Sequence, residues 1–357
     1  MQASVKAVPP YSQAMMTALL VSLVLPLVRM VAAAPDTTPV HDMLGSIIGA
    51  PAASRFDLSV VAAVVSSCAS PVGECTRLAD APGAPGRVAI QGTSLSSLSF
   101  GVGVYLQERC NVTLTWIKTG GYGDAAARCG NPVSLPRVGA PITRTRSMQW
   151  TYYQNVVDAS YSYAWWDWAR WELEITWMAL RGVNLALMYT GQELVLKQLY
   201  SSHGVNLSAA TGSAAFYNGP AWLSWSRGQR AADVGGLDVF TNQTERGSLP
   251  DWWIDSQATL GKQQAQRMRA LGITTILRGF EGNVPGGLKL KYPKANISAT
   301  KAGPTGQAWQ LDALDPLFAT LADQYMRVRS SSSRMNHSCV SPRVSRDGAV
   351  FAADPRH

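Results

Sequence analysis

Hydrophobic and polar positions predict a run of helices and strands near the N-terminus. The segment RVAIQG at 87–92 is a short apolar run typical of a strand, and apolar side chains recur at helical spacing over 95–108. The same spacing predicts a helix over 54–68, and VTLTW at 112–116 predicts a second strand. Together these elements predict a small α/β domain over residues 50–120.

A second region, residues 148–328, repeats a strand–helix unit. Strands are predicted at 150–156, 183–189 and 273–280, and helices at 165–181, 257–271 and 311–328. The strand at 183–189 does not alternate with polar residues, which is typical of a strand covered on both faces of a parallel sheet. The order predicts the first part of a (β/α)8 TIM-type barrel. A full barrel needs about 250 residues, so this α/β fold is expected to be truncated.

Three segments lack this periodicity. Gly and Pro are frequent over 121–147, which predicts a linker between the two domains. Residues 34–52 are predicted to be a linker or a poorly ordered lead-in. The Ser- and Arg-rich segment 329–357 is predicted to be a disordered tail.

Residues 1–33 have the features of a secretory signal peptide. Lys6 precedes an apolar run over 15–28, and small residues then favour cleavage after Ala33. The alternative is a membrane anchor, which Pro26 and the short apolar run disfavour. No later stretch is long and apolar enough to span a bilayer, so no membrane association is predicted after removal of the signal.

Five Asn-X-Ser/Thr sequons agree with the secretory route. Their asparagines are Asn111, Asn206, Asn242, Asn296 and Asn336. In a chain that enters the secretory pathway such motifs are candidate glycan sites on the surface. The set favours a lysosomal, vacuolar or extracellular location.

The cysteine pattern suits disulfides better than a metal or redox site. The five cysteines are Cys68, Cys75, Cys110, Cys129 and Cys339. Their odd number leaves one without a partner in the same chain. Cys68–Cys75 and Cys110–Cys129 are two of the pairings that the spacing allows, but the sequence does not decide the connectivity. No CxxC spacing occurs.

Composition and charge narrow the classes of function. The chain is 46% hydrophobic and 15% charged, which excludes a disordered or coiled-coil protein. The net charge is +8, but six of the arginines lie in 327–357, so nucleic-acid binding is not predicted. There are only four histidines and no P-loop, HExxH, GxSxG or dinucleotide fingerprint. No metal and no cofactor are therefore predicted.

The side chains at the ends of the predicted barrel strands are of types that bind sugars. Gln154 and Asn155 end the first strand, YTGQE at 189–193 follows the second, and FEGN at 280–283 follows the third. Aromatic rings stack on the C–H faces of sugars, and amides and carboxylates bind their hydroxyl groups. Because the active site of such a barrel lies at this end of the strands, the pattern predicts a carbohydrate site.

Glycoside hydrolysis normally uses two carboxylates, and position alone selects Glu193 and Glu281. A Glu directly after a strand more often caps the next helix or pairs with a neighbouring Arg, and this alternative has the greater weight. Within the predicted helix 165–181, an i,i+4 ion pair between Arg170 and Glu174 is expected. Six of the twelve tryptophans lie between positions 150 and 177, and this cluster is predicted to be mainly core.

One long segment resembles a known enzyme family. The sequence YYQNVVDASYSYAWWDWARWELEITWMALRGVNLALMYTGQE at 152–193 resembles the α-N-acetylglucosaminidases, lysosomal enzymes that remove terminal α-linked N-acetylglucosamine from heparan sulfate. Further resemblance lies at 219–225, 267–285, 292–298 and 314–318, and residues 88–116 are similar to the small N-terminal domain of that family. The resemblance covers roughly residues 50–328.

The resemblance implies a retaining glycoside hydrolase with two catalytic Glu about 5–5.5 Å apart. It also implies that Asn155, Tyr161 and Trp225 line the pocket for a terminal N-acetylglucosamine. The first catalytic Glu of the family lies in a Phe-Asn-Glu motif after the helix 311–328, and this chain has no such motif. Glu193 matches a family position that is not catalytic. No catalytic residue is assigned, and the chain alone is expected to be inactive; the alternative is a secreted, non-catalytic carbohydrate-binding glycoprotein.

Overall fold

Helices and strands alternate through the computed structural model, which describes residues 35–62, 68–115, 121–155, 158, 162–163, 165–205, 251–301, 307–333, 343–344 and 350–351. The helices are α1 Thr38–Ile48, α2 Ala50–Ala53, α3 Leu95–Cys110, α4 Tyr122–Cys129, α5 Trp168–Leu180, α6 Gln192–Ser202, α7 Asp251–Ala270, α8 Gly286–Lys291 and α9 Pro316–Ser333. The strands are β1 Phe56–Val60, β2 Cys75–Asp80, β3 Val88–Gly92, β4 Ile142–Thr145, β5 Tyr152–Tyr153, β6 Leu185–Met188, β7 Thr274–Leu277, β8 Asn283–Val284, β9 Ile297–Lys301, β10 Gln307–Leu311, β11 Arg343–Val344 and β12 Val350–Phe351.

The N-terminal sheet has the strand order β1-β3-β2-β4. Strands β1 and β3 are parallel, whereas β2 is antiparallel to both β3 and β4. Alternate residues of β3, Val88 and Ile90, are buried, as expected for a strand with one covered face. Helix α3 packs on this face, and a side chain on Gly101 would lie 2.7 Å from Ile90 Cγ2, so glycine allows the helix to lie close to the sheet.

Asp80, at the end of β2, holds the segment that leads into β4. Its carboxylate accepts hydrogen bonds from the backbone N–H groups of Val138, at 2.7 Å, and Gly139, at 3.2 Å. Desolvation raises the pKa of Asp80, but these bonds and the nearby Arg137 outweigh it and lower the pKa below its ordinary value. The ionised carboxylate is therefore the form that the fold prefers.

The second sheet has three parallel strands in the order β5-β6-β7. Leu185 of β6 pairs with Tyr152 on one side and Thr274 on the other. All four residues of β6 are buried, which explains why its sequence lacks polar alternation. Helix α5 connects β5 to β6, and α6 and α7 lie between β6 and β7 in the chain. This strand–helix alternation is the first part of a TIM-type barrel, as predicted.

The region after β7 forms a smaller antiparallel sheet with the order β8-β10-β9. Helix α9 packs on α6, and Tyr200 and Tyr325 are buried in the core between them. The Tyr200 hydroxyl donates to the Asn283 carbonyl at 2.9 Å and so connects α6 to β8. Strands β11 and β12 pair with each other. None of the helices that the structure describes is long and apolar enough to cross a bilayer.

Helices α3 and α5 join the N-terminal sheet to the parallel sheet through one hydrophobic core. Tyr105 of α3 and Ile175 and Met178 of α5 belong to this core and are fully buried. A Cβ atom on Gly103 would lie 2.9 Å from the carbonyl carbon of Leu180. The absence of a side chain at position 103 is therefore what brings the two helices into contact.

The strand and helix predictions for residues 148–328 are confirmed, but several predictions elsewhere are wrong. The segment predicted as a helix over 54–68 contains strand β1, because its residues pair in register with β3 and tertiary pairing overrides local spacing. Residues 111–115 contain no strand. The predicted lead-in 34–52 contains α1, whose residues Val40, Met43 and Leu44 are buried in the core.

The segments predicted as linker and tail also contain regular structure. Within 121–147 lie helix α4 and strand β4, and β4 completes the N-terminal sheet by pairing with β2. In the predicted tail 329–357, α9 continues to Ser333 and β11 pairs with β12. The domain boundaries themselves stay a prediction.

Both local disulfides that the spacing allows are formed. Cys68 is bonded to Cys75 and Cys110 to Cys129, with Cα–Cα distances of 6.1 Å and 5.6 Å. The second disulfide connects the end of α3 to the end of α4. Cys339 lies outside the described residues.

Candidate functional site

The carboxyl ends of β5, β6 and β7 lie at one edge of the parallel sheet and bring the predicted strand-end residues together. Gln154 follows β5, and its side-chain amide donates to the Leu187 carbonyl of β6 at 3.2 Å. Gln154 is buried, whereas the next residue, Asn155, is exposed. At the end of β5, the Gln154 amide therefore bonds to the neighbouring strand, whereas Asn155 is exposed.

A small cavity lies beneath this edge. Its volume is about 20 Å³, and Gln154, Tyr189, Gln257 and Gln264 are among its lining residues. Gln154 Oε1 and Gln264 Nε2 are buried and make no hydrogen bond within the described part of the chain. A water molecule needs about 10–15 Å³, so the cavity matches one water in volume and in hydrogen-bonding groups. A sugar ring is far larger and does not fit into this cavity.

Glu281, the candidate after β7, is bound by an arginine. Arg278 donates through Nε and Nη2 to the two carboxylate oxygens of Glu281, and its side chain is only 9% exposed. The guanidinium carbon also lies 5.2 Å from the centre of the Tyr189 ring. Burial raises the pKa of Tyr189, and the charge of Arg278 partly opposes this. The two oxygens of the Glu281 carboxylate are therefore occupied by the Arg278 guanidinium.

Glu193, the candidate after β6, is 1% exposed and lies in the first turn of α6. Gly191, which begins this helix, has a φ of 84°, a conformation that glycine adopts without strain. A carboxylate in the first turn is stabilised by the positive end of the helix dipole. The pairing of Glu281 with Arg278 is the arrangement that the alternative predicted, whereas for Glu193 the structure shows burial in the first turn of α6. The absence of a catalytic pair stays a prediction.

An aromatic cluster, with its rings in tilted and edge-to-face contact, borders the cavity, and the sequence did not predict these contacts. The ring of Tyr163 lies 4.2 Å from Trp166 and 4.9 Å from Trp171, between ring centres. The Arg170 guanidinium lies 3.9 Å from the centre of the Trp166 ring and pairs with Glu174 at 3.1 Å, which confirms the predicted ion pair. A cation held over an indole face fixes the ring in place.

The hydroxyl groups of two tyrosines connect this aromatic cluster to β5. The Tyr153 hydroxyl donates to Glu174 Oε1 at 3.0 Å and lies 3.1 Å from the Tyr163 hydroxyl. Burial, followed by the hydrogen bond with Tyr153, raises the pKa of Tyr163 well above its ordinary value. Burial also raises the pKa of Tyr153, so both phenols are neutral at physiological pH. The sequence could not predict these contacts, because the partners of Tyr153 lie 10 and 21 residues away along the chain.

The predicted site residues are only partly within the described chain. Asn155 lies at the strand edge, whereas Tyr161 and Trp225 lie outside the described residues. No group of His, Cys, Asp or Glu in the described ranges has the geometry to hold a metal ion.

Two of the five sequon asparagines can be located, and both are exposed. Asn111 ends α3 in the left-handed conformation, with a φ of 52°. Asn296 donates from Nδ2 to Asp312 at 2.6 Å. Asn206, Asn242 and Asn336 lie outside the described residues.

The fold is that of family 89 glycoside hydrolases. A Clostridium perfringens member of that family, solved in complex with 2-acetamido-1,2-dideoxynojirmycin, matches with a TM-score of 0.66 and 24% identity, over 83% of this chain and 31% of that chain. A variant of a Clostridium perfringens family 89 enzyme, in complex with its substrate GlcNAc-alpha-1,4-galactose, matches with a TM-score of 0.68 and 23% identity, over 87% and 33% of the two chains.

Sequence comparison then defines the family. Residues 151–338 match the TIM-barrel domain of alpha-N-acetylglucosaminidase. The human alpha-N-acetylglucosaminidase is 31% identical over 301 residues, which is 82% of this chain and 37% of that protein. The chain belongs to the alpha-N-acetylglucosaminidase family, as the resemblance implied. It spans about a third of the length of these relatives.

Proposed function

We propose that the chain is part of a retaining glycoside hydrolase that removes terminal α-linked N-acetylglucosamine from glycans of the heparan sulfate type. The observation that carries the proposal is the exposed Asn155 at the end of β5, in the segment that matches the family. An amide at this position can hydrogen-bond sugar hydroxyl groups, with Tyr161 and Trp225 supplying the remaining contacts. The substrate is a carbohydrate, and no cofactor takes part.

Sugar binding by this chain is tested with N-acetylglucosamine and titration calorimetry. Loss of a polar contact costs about 1–3 kcal/mol, so Asn155→Ala should weaken binding by about fivefold or more. Trp225→Ala should also weaken binding. Trp252→Ala is the matched control, because this tryptophan is 71% exposed and is not among the residues that line the small cavity. Equal affinity of Asn155→Ala and the unchanged chain would contradict the assignment.

Within this proposal the 357-residue chain binds the sugar but does not hydrolyse the bond. The mechanism needs a nucleophile and an acid/base carboxylate, and the chain lacks the Phe-Asn-Glu motif while Glu193 is buried and Glu281 is paired with Arg278. The test is release of the chromophore from a chromogenic α-N-acetylglucosaminide by the purified chain. Hydrolysis above the uncatalysed rate would refute inactivity. If that hydrolysis fell with Glu193→Gln, Glu193 would be a catalyst after all.

A non-catalytic carbohydrate-binding glycoprotein that keeps part of the sugar pocket is the second candidate. Both candidates predict that the 357-residue chain binds the sugar without hydrolysing it, so this result does not distinguish them. A transcript that continues beyond the codon for Val328 into a Phe-Asn-Glu motif would identify the hydrolase. A transcript that ends in the present sequence would identify a truncated relative without catalytic activity, and specific binding of N-acetylglucosamine by that product would then support the binding protein.

We also infer a secretory route to a lysosomal, vacuolar or extracellular location. Two disulfides are typical of an oxidising compartment, and the exposure of Asn111 and Asn296 suits glycan attachment. Expression in a secreting eukaryotic cell should yield a glycosylated protein that has lost residues 1–33. Asn111→Gln and Asn296→Gln should each remove one glycan, measured as a shift in mass. An unprocessed, unglycosylated product would contradict the route.

A further inference from the structure

A groove lined by four tryptophans lies between the start of α5 and the first turns of α7. Trp165, Trp166 and Trp168 line one side and Trp253 the other, and the groove has a volume of about 470 Å³. Ligand sites typically have volumes of about 300–1,000 Å³. Trp165 is 64% exposed, so at least one of the indole faces is open to a ligand. We call this feature the tryptophan groove.

The polar residues of the tryptophan groove are mostly uncharged. Gln257 and Gln263 of α7 present amide groups beside the rings, and Asp167 is the only ionisable residue in its described lining. Indole faces pack against the C–H faces of a sugar ring, while amides bind its hydroxyl groups. Among the described residues, the charged group in the lining is the Asp167 carboxylate, and the nearby Arg170 guanidinium is already paired with Glu174, so an anionic ligand gains little there. The lining therefore suits a neutral saccharide rather than a sulfated one.

The tryptophan groove adjoins the candidate sugar site. Gln257 lines both the groove and the small cavity beneath the strand ends. Trp166 packs on Tyr163 and Trp171, with ring centres 4.2 Å and 5.3 Å away, and these two residues line the cavity. One layer of aromatic rings therefore separates the groove from the cavity.

One wall of the tryptophan groove is held in place before any ligand binds. The Arg170 guanidinium lies 3.9 Å from the centre of the Trp166 ring and is itself paired with Glu174. A ring that is already fixed loses little conformational freedom on binding, which favours affinity.

We propose that the tryptophan groove binds an uncharged sugar unit of the same glycan whose terminal residue lies at the ends of β5, β6 and β7. This proposal rests on the proposed function, because it adds a second subsite to the same substrate. It predicts that affinity depends on the length of the glycan through the groove and not only on its terminal unit.

The experiment compares two ligands across three proteins. The ligands are N-acetylglucosamine and a neutral trisaccharide with a terminal α-linked N-acetylglucosamine. The proteins are the unchanged chain, Trp165→Ala and the control Trp252→Ala, which changes an exposed tryptophan outside the groove lining. In the unchanged chain the trisaccharide should bind about tenfold more tightly than the monosaccharide, equal to about 1.4 kcal/mol. Trp165→Ala should reduce this ratio to about one, and Trp252→Ala should keep it near ten.

Each other outcome has a defined meaning. Equal affinities of the unchanged chain for both ligands, or a ratio that survives Trp165→Ala, would overturn the subsite while leaving terminal-sugar binding intact. Tighter binding of a sulfated trisaccharide than of the neutral one would overturn the assignment of an uncharged unit. Failure of the unchanged chain to bind either ligand would overturn the proposed function itself, and the subsite with it. Thermal unfolding of Trp165→Ala near that of the unchanged chain shows that the variant is folded.

Discussion

Gly103 is the position at which a single methyl group should most clearly disturb the packing of α3 on α5. A Cβ atom there would lie 2.9 Å from the carbonyl carbon and 3.1 Å from the Cα atom of Leu180, and the carbonyl oxygen is closer still. All three are backbone atoms at the end of α5, so no side-chain rotation can relieve the overlap. Gly103→Ala must therefore push the two helices apart within the core that joins the two sheets.

The size of the effect follows from two opposing contributions. Overpacking typically costs about 1–3 kcal/mol, and a collision with backbone belongs at the upper end of that range. Alanine in a helix interior is favoured over glycine by about 1 kcal/mol, which offsets part of the cost. The expected net loss in the free energy of unfolding is about 2 kcal/mol.

Gly123→Ala in α4 is the matched control. Nothing lies within 4 Å of a Cβ atom at that position, so only the gain in helix propensity remains. The control should be more stable than the unchanged chain by up to about 1 kcal/mol. Urea unfolding followed by circular dichroism measures both variants. Gly103→Ala with a midpoint equal to or above that of the unchanged chain would refute the close approach of α3 and α5.

Three further substitutions test other contacts. Cys129→Ser removes the disulfide to Cys110, which joins residues 19 positions apart, and should cost about 3 kcal/mol in urea unfolding. Cys110→Ser breaks the same bond and should give the same midpoint; a midpoint equal to that of the unchanged, oxidised chain would contradict this. Asp80 has a lowered pKa in the fold, so its stabilisation is complete above the ordinary carboxyl pKa near 3.8 and is lost as the pH falls through the folded value. Asp80→Asn should therefore flatten the acid limb of a stability–pH curve, and an unchanged limb would contradict this. Tyr105→Phe removes the 2.7 Å hydrogen bond to the Pro136 carbonyl and should cost about 1 kcal/mol by the same unfolding assay, whereas no loss would show that the bond is not formed.

The barrel elements could be predicted from sequence because their signals are local. The fully apolar β6 and the long helices α5 and α7 each carry their own pattern, and the Arg170–Glu174 pair follows from helical spacing. Strands β1 and β4 could not be predicted in this way. Each is short and is defined by its pairing with β3 or β2, which depends on residues far away in sequence.

Of the candidate site, only the residues that directly follow a predicted strand could be located from the sequence. The position of Asn155 follows from the end of a predicted strand. The tryptophan cluster does contribute to the core, since Trp171 is buried, but Trp165 is exposed in the tryptophan groove. That groove needs Trp253 from a helix about 80 residues away, and the spacing of tryptophans in one segment carries no information about such a partner.

The N-terminal sheet has a consequence for the order of events during synthesis on the ribosome. All four of its strands are complete once Thr145 has been made, before any strand of the parallel sheet exists. Its helix α3 then presents a surface, open at Gly103, on which α5 can settle as soon as it emerges. Pairing β6 with β7 must wait for about 90 further residues, and such distant pairings form slowly. The N-terminal sheet and its helix α3 can thus cover the apolar face of α5 while β7 is still being synthesised.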